Sequence, residues 1–484
     1  MKPIIYQVLT RLYYSPSRPY TPGGTLAQNG CAKLRDFTAR RLADISALGT
    51  THVWYTGILD HATRSDFSVH GLPADTEVKG EAGSPYAVRD YYNVAPELAT
   101  DIPRRLHEFE LLVGRTHRAG MGVIIDFVPN HVARHYAGTY RPFTDRNYYP
   151  GRICDGDWTD TAKLNYGERD TWQKMLDILL FWAARGVDGF RCDMAELVPV
   201  DFWAWAIPQV KVAYPSLLFI AEVYQPWRYA EYIRQGHFDY LYDKVGLYDT
   251  LIAILKGHES ATAITRCWQS LGELAPHMLH FMENHDEQRL ASDFICGEGH
   301  RALPSMWVSA LLDSCPVMIY FGQELGERGM EAEGFSGHDG KTTIFDYAPV
   351  PAVSQWLKAG SSADNDLRDE YSRILRLAAS EPAVTDGKFF DLMYVNPASD
   401  HFNPHRQYAF LRASADMLLI VCVNFDDVPH DVRIRIPQHA FDYLDIPQDG
   451  HATTETGITL LPDKEIPLHL PPLGGTVVKA RFSV

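Results

Sequence analysis

The sequence predicts an α/β protein: a closed barrel of eight parallel strands alternating with helices, a subdomain inserted after the third strand, and a C-terminal antiparallel β-sandwich. Three observations carry this expectation. Short apolar runs alternate with amphipathic stretches, the pattern of buried parallel strands and the helices that cover them. Several of those runs end in polar or acidic side chains, as in Val-Ile-Ile-Asp-Phe-Val-Pro-Asn-His at 123–131 and Leu-Leu-Phe-Ile-Ala-Glu at 217–222. Beyond residue 385 the helical pattern gives way to short strand-like runs separated by Pro, Asp and Gly.

In order along the chain, the predicted barrel strands are Ile4–Leu9, Thr51–Gly57, Val123–Val128, Gly189–Asp193, Leu217–Val223, Phe238–Tyr242, Met278–Met282 and Val317–Phe321. Between the first two, Leu42, Ile45 and Leu48 fall on one helical face and Gly49 ends it. Leu106, Phe109 and Val113 form a similar face before the third strand, and Met175, Leu179 and Trp182 another that Gly186 closes. Repeated strand–helix units of this kind close into a TIM barrel, whose C-terminal strand ends share the rim that carries chemistry. The barrel is expected over residues 1–131 and 171–385. Residues 132–170 are polar, rich in Tyr, Arg, Asp and Gly, and weakly periodic; a segment this long without regular structure is expected to be a functional subdomain over that rim. A second excursion is expected at Gly326–Gly360 and a helix at Asp366–Ala379. The sandwich is expected over 386–484, with strands at Phe389–Val395, Gln407–Arg412, Leu418–Phe425, Val432–Ile436 and Thr476–Phe482 and no helix among them.

Bulk properties narrow the function. The 484 residues suit a large barrel plus an accessory domain, and 46 % hydrophobic with 22 % charged residues is ordinary globular usage. The formal charge of −16 argues against nucleic acid or anionic lipid as partner and favours a neutral substrate. Seven scattered cysteines without a Cys-x-x-Cys pair suggest free thiols in a reducing compartment. No run reaches the roughly 18 apolar residues of a membrane span, and the N-terminal apolar stretch meets Arg11 too soon for a signal peptide. A cytoplasmic protein is expected.

Three carboxylates then stand at strand ends: Asp193, Glu222 and Asp286. Arg191 lies two residues before Asp193, so both point to one side of a strand, and the guanidinium is expected to hold that carboxylate ionised and oriented. Glu222 follows Phe-Ile-Ala, an apolar setting that suits a general acid. His285 leaves the seventh strand with Asp286, and Asn130 and His131 leave the third. Two carboxyls of opposite protonation across an oxocarbenium-like centre are what retaining glycoside hydrolysis needs, at a separation of roughly 5–5.5 Å. The plainer readings are a buried Arg191–Asp193 ion pair, core histidines satisfied by backbone, a packing tyrosine and a loop-tying asparagine.

At these residues the chain resembles the α-amylase family, glycoside hydrolase family 13. Four motifs occur in order: Asp-Phe-Val-Pro-Asn-His (126–131), Gly-Phe-Arg-Cys-Asp (189–193), Ala-Glu-Val-Tyr (221–224) and Glu-Asn-His-Asp (283–286). The resemblance implies Asp193 as nucleophile, Glu222 as general acid and base, and Asp286 as the carboxylate that stabilises the transition state. It implies Arg191 as the residue that orients the nucleophile, His131 and His285 as sugar-binding histidines, and Tyr86 as an aromatic platform, although the usual His-Gly-Tyr reads Ser-Pro-Tyr at 84–86. Asn130 matches a calcium ligand of calcium-dependent members; a structural calcium is therefore possible, and no cofactor is required for the chemistry. The implied substrate is a neutral α-glucan oligosaccharide with α-1,4 linkages.

Departures bear on specificity. Glu196 and Leu197 stand where many α-amylases carry Lys-His, so the first leaving-group subsite should differ. Lys163-Leu164-Asn165 is similar to the version in neopullulanases and cyclomaltodextrinases. Their extra N-terminal module is not expected, because the first strand begins almost at Met1, nor is the dimer it shapes; the oligomeric state stays open. Two other outcomes are compatible with the same residues: a transglycosylase or isomerase using the same intermediate, and a non-catalytic carbohydrate-binding relative.

Overall fold

The computed structural model describes residues 2–14, 19–360, 365–446 and 452–482. Eight parallel strands close into a barrel: Ile4–Leu9, His52–Thr56, Gly122–Phe127, Gly189–Cys192, Leu218–Ala221, Tyr240–Tyr242, Met278–Phe281 and Val317–Tyr320. Neighbours in sequence are neighbours in the barrel, and Ile4 paired with Val317 closes it. The strands are buried almost throughout, because one face fills the barrel and the other meets the helices. Register sets the chemistry: Asp126 pairs with Arg191, and Cys192 with Ala221, so Asp193 and Glu222 leave adjacent strands side by side.

The covering helices bury the faces that the sequence marks. Phe109 and Val113 of Arg105–Arg118 are buried, with Leu106 half-buried against the core, and Met175, Leu179 and Trp182 of Arg169–Ala183 are buried. Gly49 has φ 96°, and a Cβ there would lie 2.9 Å from the Arg376 backbone nitrogen, so a side chain at this turn meets both strain and a clash.

Several elements differ from expectation. The sixth strand covers only Tyr240–Tyr242, since Phe238 instead packs inward beside Trp203. Between barrel strands two and three the chain forms an antiparallel pair, Leu59–His61 with Val88–Val94. Its short first strand and bulged register leave little alternation to read. The segment after barrel strand three is pinned by His131–Ala133 paired with Thr161–Lys163. Within the excursion after strand eight lies a helix, Pro351–Ala359.

The C-terminal domain is an antiparallel sandwich of five strands against two. The larger sheet contains Lys388–Asp391, Gln407–Ser414, Met417–Asn424, Thr453–Thr454 and Gly474–Arg481; the smaller pairs His430–Arg435 with Glu465–Leu470. The strand expected to run to Val395 stops at Asp391, whose Oδ1 accepts the Met393 N–H at 2.6 Å and turns the chain into a 3-10 helix. Contrary to expectation this domain holds an α-helix, Gln438–Leu444, which buries Ala440, Phe441 and Leu444. In Glu465–Leu470, Pro467 argues against a central strand, but each strand of a two-stranded sheet keeps a free edge where a missing N–H costs nothing.

Candidate active site

Asp193, Glu222 and Asp286 line one cleft of about 330 Å3 at the C-terminal rim of the barrel, with Tyr86, His131 and His285. Each carboxylate lies one or a few residues past a barrel strand, where the chain leaves the sheet and its side chains are free of barrel packing. Arg191 is within the fourth strand and fully buried.

Arg191 is the hub. Its Nη1 donates to Asp193 Oδ1 at 2.6 Å, and its Nη2 lies 2.8 Å from Glu222 Oε2. Nη1 also reaches Asp126 Oδ1 at 3.4 Å, and Nε donates to the Tyr242 hydroxyl at 3.2 Å. One planar guanidinium therefore bridges the two carboxyls that matter, a geometry an ammonium cannot supply. Three carboxylates around one cation cannot all ionise cheaply. Burial pushes the Asp193 carboxyl up to about 7; Arg191 pulls it down, and the nearby Glu222 pushes it up again. Burial likewise raises Asp126, against the pull of Arg191. The expectation that Arg191 alone keeps Asp193 ionised is thus corrected: desolvation outweighs the single guanidinium before substrate binds.

Glu222 is held from two further sides. The Met194 N–H donates to Oε2 at 2.7 Å, and the Tyr224 hydroxyl donates to Oε1 at 2.7 Å. Met194 takes φ 42°, an uncommon left-handed conformation for a side-chain-bearing residue, which aims its N–H at Glu222. Asp286 is different. Its side chain is 41 % exposed to the cleft. Burial opposes its charge, but His285, Arg191 and Lys341 together hold its carboxyl below the usual range.

His285 is set by its neighbours. Gln7 Nε2 lies 2.8 Å from Nδ1, and Nε2 lies 2.5 Å from the Tyr86 hydroxyl and 3.1 Å from Asp286 Oδ2. With the Gln7 amide donating to Nδ1, the ring hydrogen sits on Nε2 and points to Asp286. Tyr86 stacks on His285 with ring centroids 5.2 Å apart, and both residues line the cleft. His131 packs at 5.3 Å from Trp158, and burial pushes it down to about 4, so it is neutral at pH 7 and offers one N–H.

Asn130 does not face the cleft. Its Nδ2 donates to Asp155 Oδ2 at 2.8 Å, and Lys163 Nζ donates to the other oxygen, Asp155 Oδ1, at 2.7 Å. Calcium takes six to eight oxygens. Here two nitrogens satisfy the one carboxylate, and among the described residues no group of three or more His, Cys, Asp or Glu is arranged to hold a metal. The donor set around Asn130 does not fit calcium; the Lys163 ammonium neutralises Asp155 in its place.

Glu196 plays no cationic part on the leaving-group side. Its Oε2 accepts the Tyr224 N–H at 3.2 Å, and its carbonyl accepts from Arg228 Nη1 at 2.8 Å, so it pins the loop that follows Glu222. Gln7, Asp126, Tyr224 and Tyr242 were not singled out from sequence. Three carried a signal: Gln7 is polar inside an apolar strand, Asp126 stands within the Asp-Phe-Val-Pro-Asn-His motif, and Tyr224 closes Ala-Glu-Val-Tyr. Tyr242 carried none.

A barrel with a trio of acids and aromatic faces at its C-terminal rim defines a carbohydrate-active enzyme class. Residues 37–159 and 154–371 match the family model "Alpha amylase, catalytic domain". The chain belongs to the α-amylase family, glycoside hydrolase family 13, whose members hydrolyse or transfer α-glucans. It is 27 % identical over 349 residues to alpha-amylase MalA of Haloarcula japonica, covering 69 % of this chain and 47 % of that protein. It is 24 % identical to a cyclomaltodextrinase of a Bacillus species, over 79 % of this chain and 68 % of that protein. It is also 30 % identical over 204 residues to an α-1,4-glucan:maltose-1-phosphate maltosyltransferase of Rhodospirillum rubrum, covering 38 % of this chain and 28 % of that protein. The first two of these curated relatives to be matched, MalA and the maltosyltransferase, are thus spanned over less than half their length. Among solved structures, the α-amylase of Geobacillus thermoleovorans complexed with acarbose superposes with a TM-score of 0.73 at 18 % identity, over 100 % of this chain and 99 % of that one. That likeness supports the fold. No helix among the described residues is long and apolar enough to cross a membrane.

Proposed function

We propose that the protein is a retaining glycoside hydrolase that cleaves α-1,4-glucosidic bonds in maltooligosaccharides or starch fragments. The observation that carries this reading is the bridge: Arg191 joins Asp193 and Glu222 from between, with Asp286 in the same cleft. In the first step Asp193 attacks the anomeric carbon while Glu222 gives its proton to the glycosidic oxygen; the C–O bond breaks and an ester to Asp193 forms. In the second, Glu222 takes a proton from water, which attacks the same carbon and releases Asp193. Burial holds the Asp193 carboxyl of the free enzyme up at about 7, and attack requires that carboxyl ionised while Glu222 carries a proton. Asp286 stays anionic opposite the developing positive charge, and His131, His285 and Tyr86 hold the sugar ring.

The test is turnover of maltoheptaose and of a blocked nitrophenyl maltoside by wild type, Asp193→Asn and Glu222→Gln. The reading expects both variants to collapse; equal turnover in all three overturns it. Similarity to the maltosyltransferase favours one second reading, in which a sugar hydroxyl replaces water in the second step. Product analysis at high substrate concentration separates the two: mainly longer or rearranged sugars would replace the hydrolase assignment with a transglycosylase.

A further inference from the structure

A cavity larger than the catalytic cleft lies away from it. A hollow of about 640 Å3 opens at the other end of the barrel. Its barrel side comes from helix Ala263–Leu271 and the turn Gly272–His277, which lead into strand seven, and from Leu312 and Asp313, which precede strand eight. Residues that precede parallel strands lie on the N-terminal face, opposite the rim of the carboxylates. Its other wall belongs to the C-terminal domain: the strand Lys388–Asp391, Tyr394, and helix Gln438–Leu444.

The lining is aromatic and arranged. Trp268, Phe389, Phe390, Tyr394, His439 and Tyr443 contribute rings. His439 and Tyr443 are four apart, on one face of their helix. Phe390 sits among three rings, 5.5 Å from His439, 6.1 Å from Tyr443 and 6.2 Å from Tyr394, each tilted by 45–58°. Tilted rings do not cover one another's faces. Tyr394 is 60 % and Tyr443 54 % exposed, although both border a cavity. The scaffold behind them is fixed. Trp268 Nε1 donates to Asp391 Oδ2 at 3.0 Å, the Tyr408 hydroxyl donates to the same atom at 2.8 Å, and Lys388 Nζ donates to the Tyr443 carbonyl at 2.9 Å. The Tyr394 hydroxyl bonds His439 Nε2.

We propose that this hollow is a second binding site for α-glucan, remote from the cleft. Its size falls within the roughly 300–1,000 Å3 of small-ligand pockets, so a flat protein interface is the poorer match. Asp313 on the lining disfavours an anion, and Lys388, over the Tyr443 ring and paired with Asp445, leaves the aromatic wall without net charge. A neutral ligand with an apolar face and a polar edge remains. A glucose ring is such a ligand: its C–H face stacks on Tyr or Trp, and its hydroxyls reach Gln269, His439 and the tyrosine hydroxyls at the margin. The choice of α-glucan rests on the substrate class proposed above. Occupied together with the cleft, the hollow tethers a long chain and raises the local concentration of its cleavable ends.

The experiment uses maltoheptaose as probe and the full chain. In an Asp193→Asn background, calorimetric titration is expected to give two equivalents bound. Adding Tyr394→Ala and Tyr443→Ala removes one equivalent and leaves the other. Retention in a glycogen-containing native gel falls by about fivefold or more, the scale of one or two lost aromatic contacts. Gln269→Trp, which fills the hollow from an exposed position, gives the same loss and guards against misfolding of the tyrosine variant. In the otherwise wild-type enzyme the tyrosine changes keep nitrophenyl maltoside turnover within about twofold, since short substrates need only the cleft. One equivalent in the parent, or two equivalents surviving both sets of changes, overturns the site. Absence of nitrophenyl maltoside turnover in the wild type overturns the hydrolase reading instead, and leaves the binding stoichiometry to judge the hollow.

Discussion

The two cavities invert each other. The cleft at the C-terminal rim is about 330 Å3 and built around charge; the hollow at the N-terminal face is about 640 Å3 and built around aromatic faces. In the cleft, side chains are buried and polar, and each is pinned by at least one partner: Arg191 by three carboxylates, Glu222 by Met194 and Tyr224, His285 by Gln7. In the hollow the backing residues are pinned, Tyr394 is held only through its hydroxyl on His439, and Tyr394 and Tyr443 stay more than half exposed. Bond breaking needs charges fixed before the substrate arrives, because reorganising dipoles during the reaction costs barrier height. Holding a sugar needs area and tolerance. Volume alone would choose the wrong cavity as the catalytic one.

That contrast predicts a graded series. Asp193→Asn removes the nucleophile without changing size, and turnover should fall roughly 10⁴-fold or more while glycogen-gel retention through the hollow persists. Glu222→Gln should cost about 10²–10⁴-fold, and least on substrates whose leaving group needs no proton, such as glucosyl fluorides. Arg191→Lys keeps the charge but cannot reach both carboxyls; a loss of roughly 10²-fold in kcat/KM is expected, and near-normal activity would mean that the bridge is not needed.

A smaller effect concerns pH. Below about 7 the Asp193 carboxyl, raised by burial, keeps its proton and cannot attack, so kcat/KM falls on the acid side. Asp286, held below its ordinary range, stays anionic well into acid and sets no neutral limb. A profile flat from about pH 8 down to about pH 5 would contradict a raised Asp193 carboxyl. The hollow contributes nothing to this curve, so glycogen retention should not follow it. Smallest is Lys163→Met. Lys163 and Asp155 are partly exposed, and the change should destabilise the fold by about 0.5–1 kcal/mol. A chelator should leave the Tm of the wild type unmoved; a calcium-dependent rise would contradict the donor set around Asn130.

How far the sequence reached follows from what each element is made of. The barrel strands are runs of buried apolar residues ending in acids, a local pattern that survives folding unchanged, so the barrel and the convergence of its three carboxylates were legible. Tyr242 was not: a tyrosine in a strand looks like core, and only the closed barrel brings its hydroxyl to Arg191. The state of Asp193 was misjudged because sequence displays the neighbouring Arg191 but neither the burial of the carboxyl in the closed barrel nor the crowding by Glu222 and Asp126. Helix Gln438–Leu444 was hidden by its brevity and by Pro437 before it. The hollow was illegible altogether, since Trp268, Phe390 and Tyr443 come from segments far apart in the chain and meet only where barrel and sandwich touch.

The most direct measurement is mass spectrometry of the enzyme trapped with a 5-fluoro-α-glucosyl fluoride, a sugar whose good leaving group forms the intermediate and whose fluorine slows its breakdown. A covalent adduct of one glycosyl unit on the peptide that contains Asp193, absent in Asp193→Asn, is the predicted result. Turnover without any adduct, or an adduct on a different carboxylate, would contradict the placement of the nucleophile and with it the double displacement.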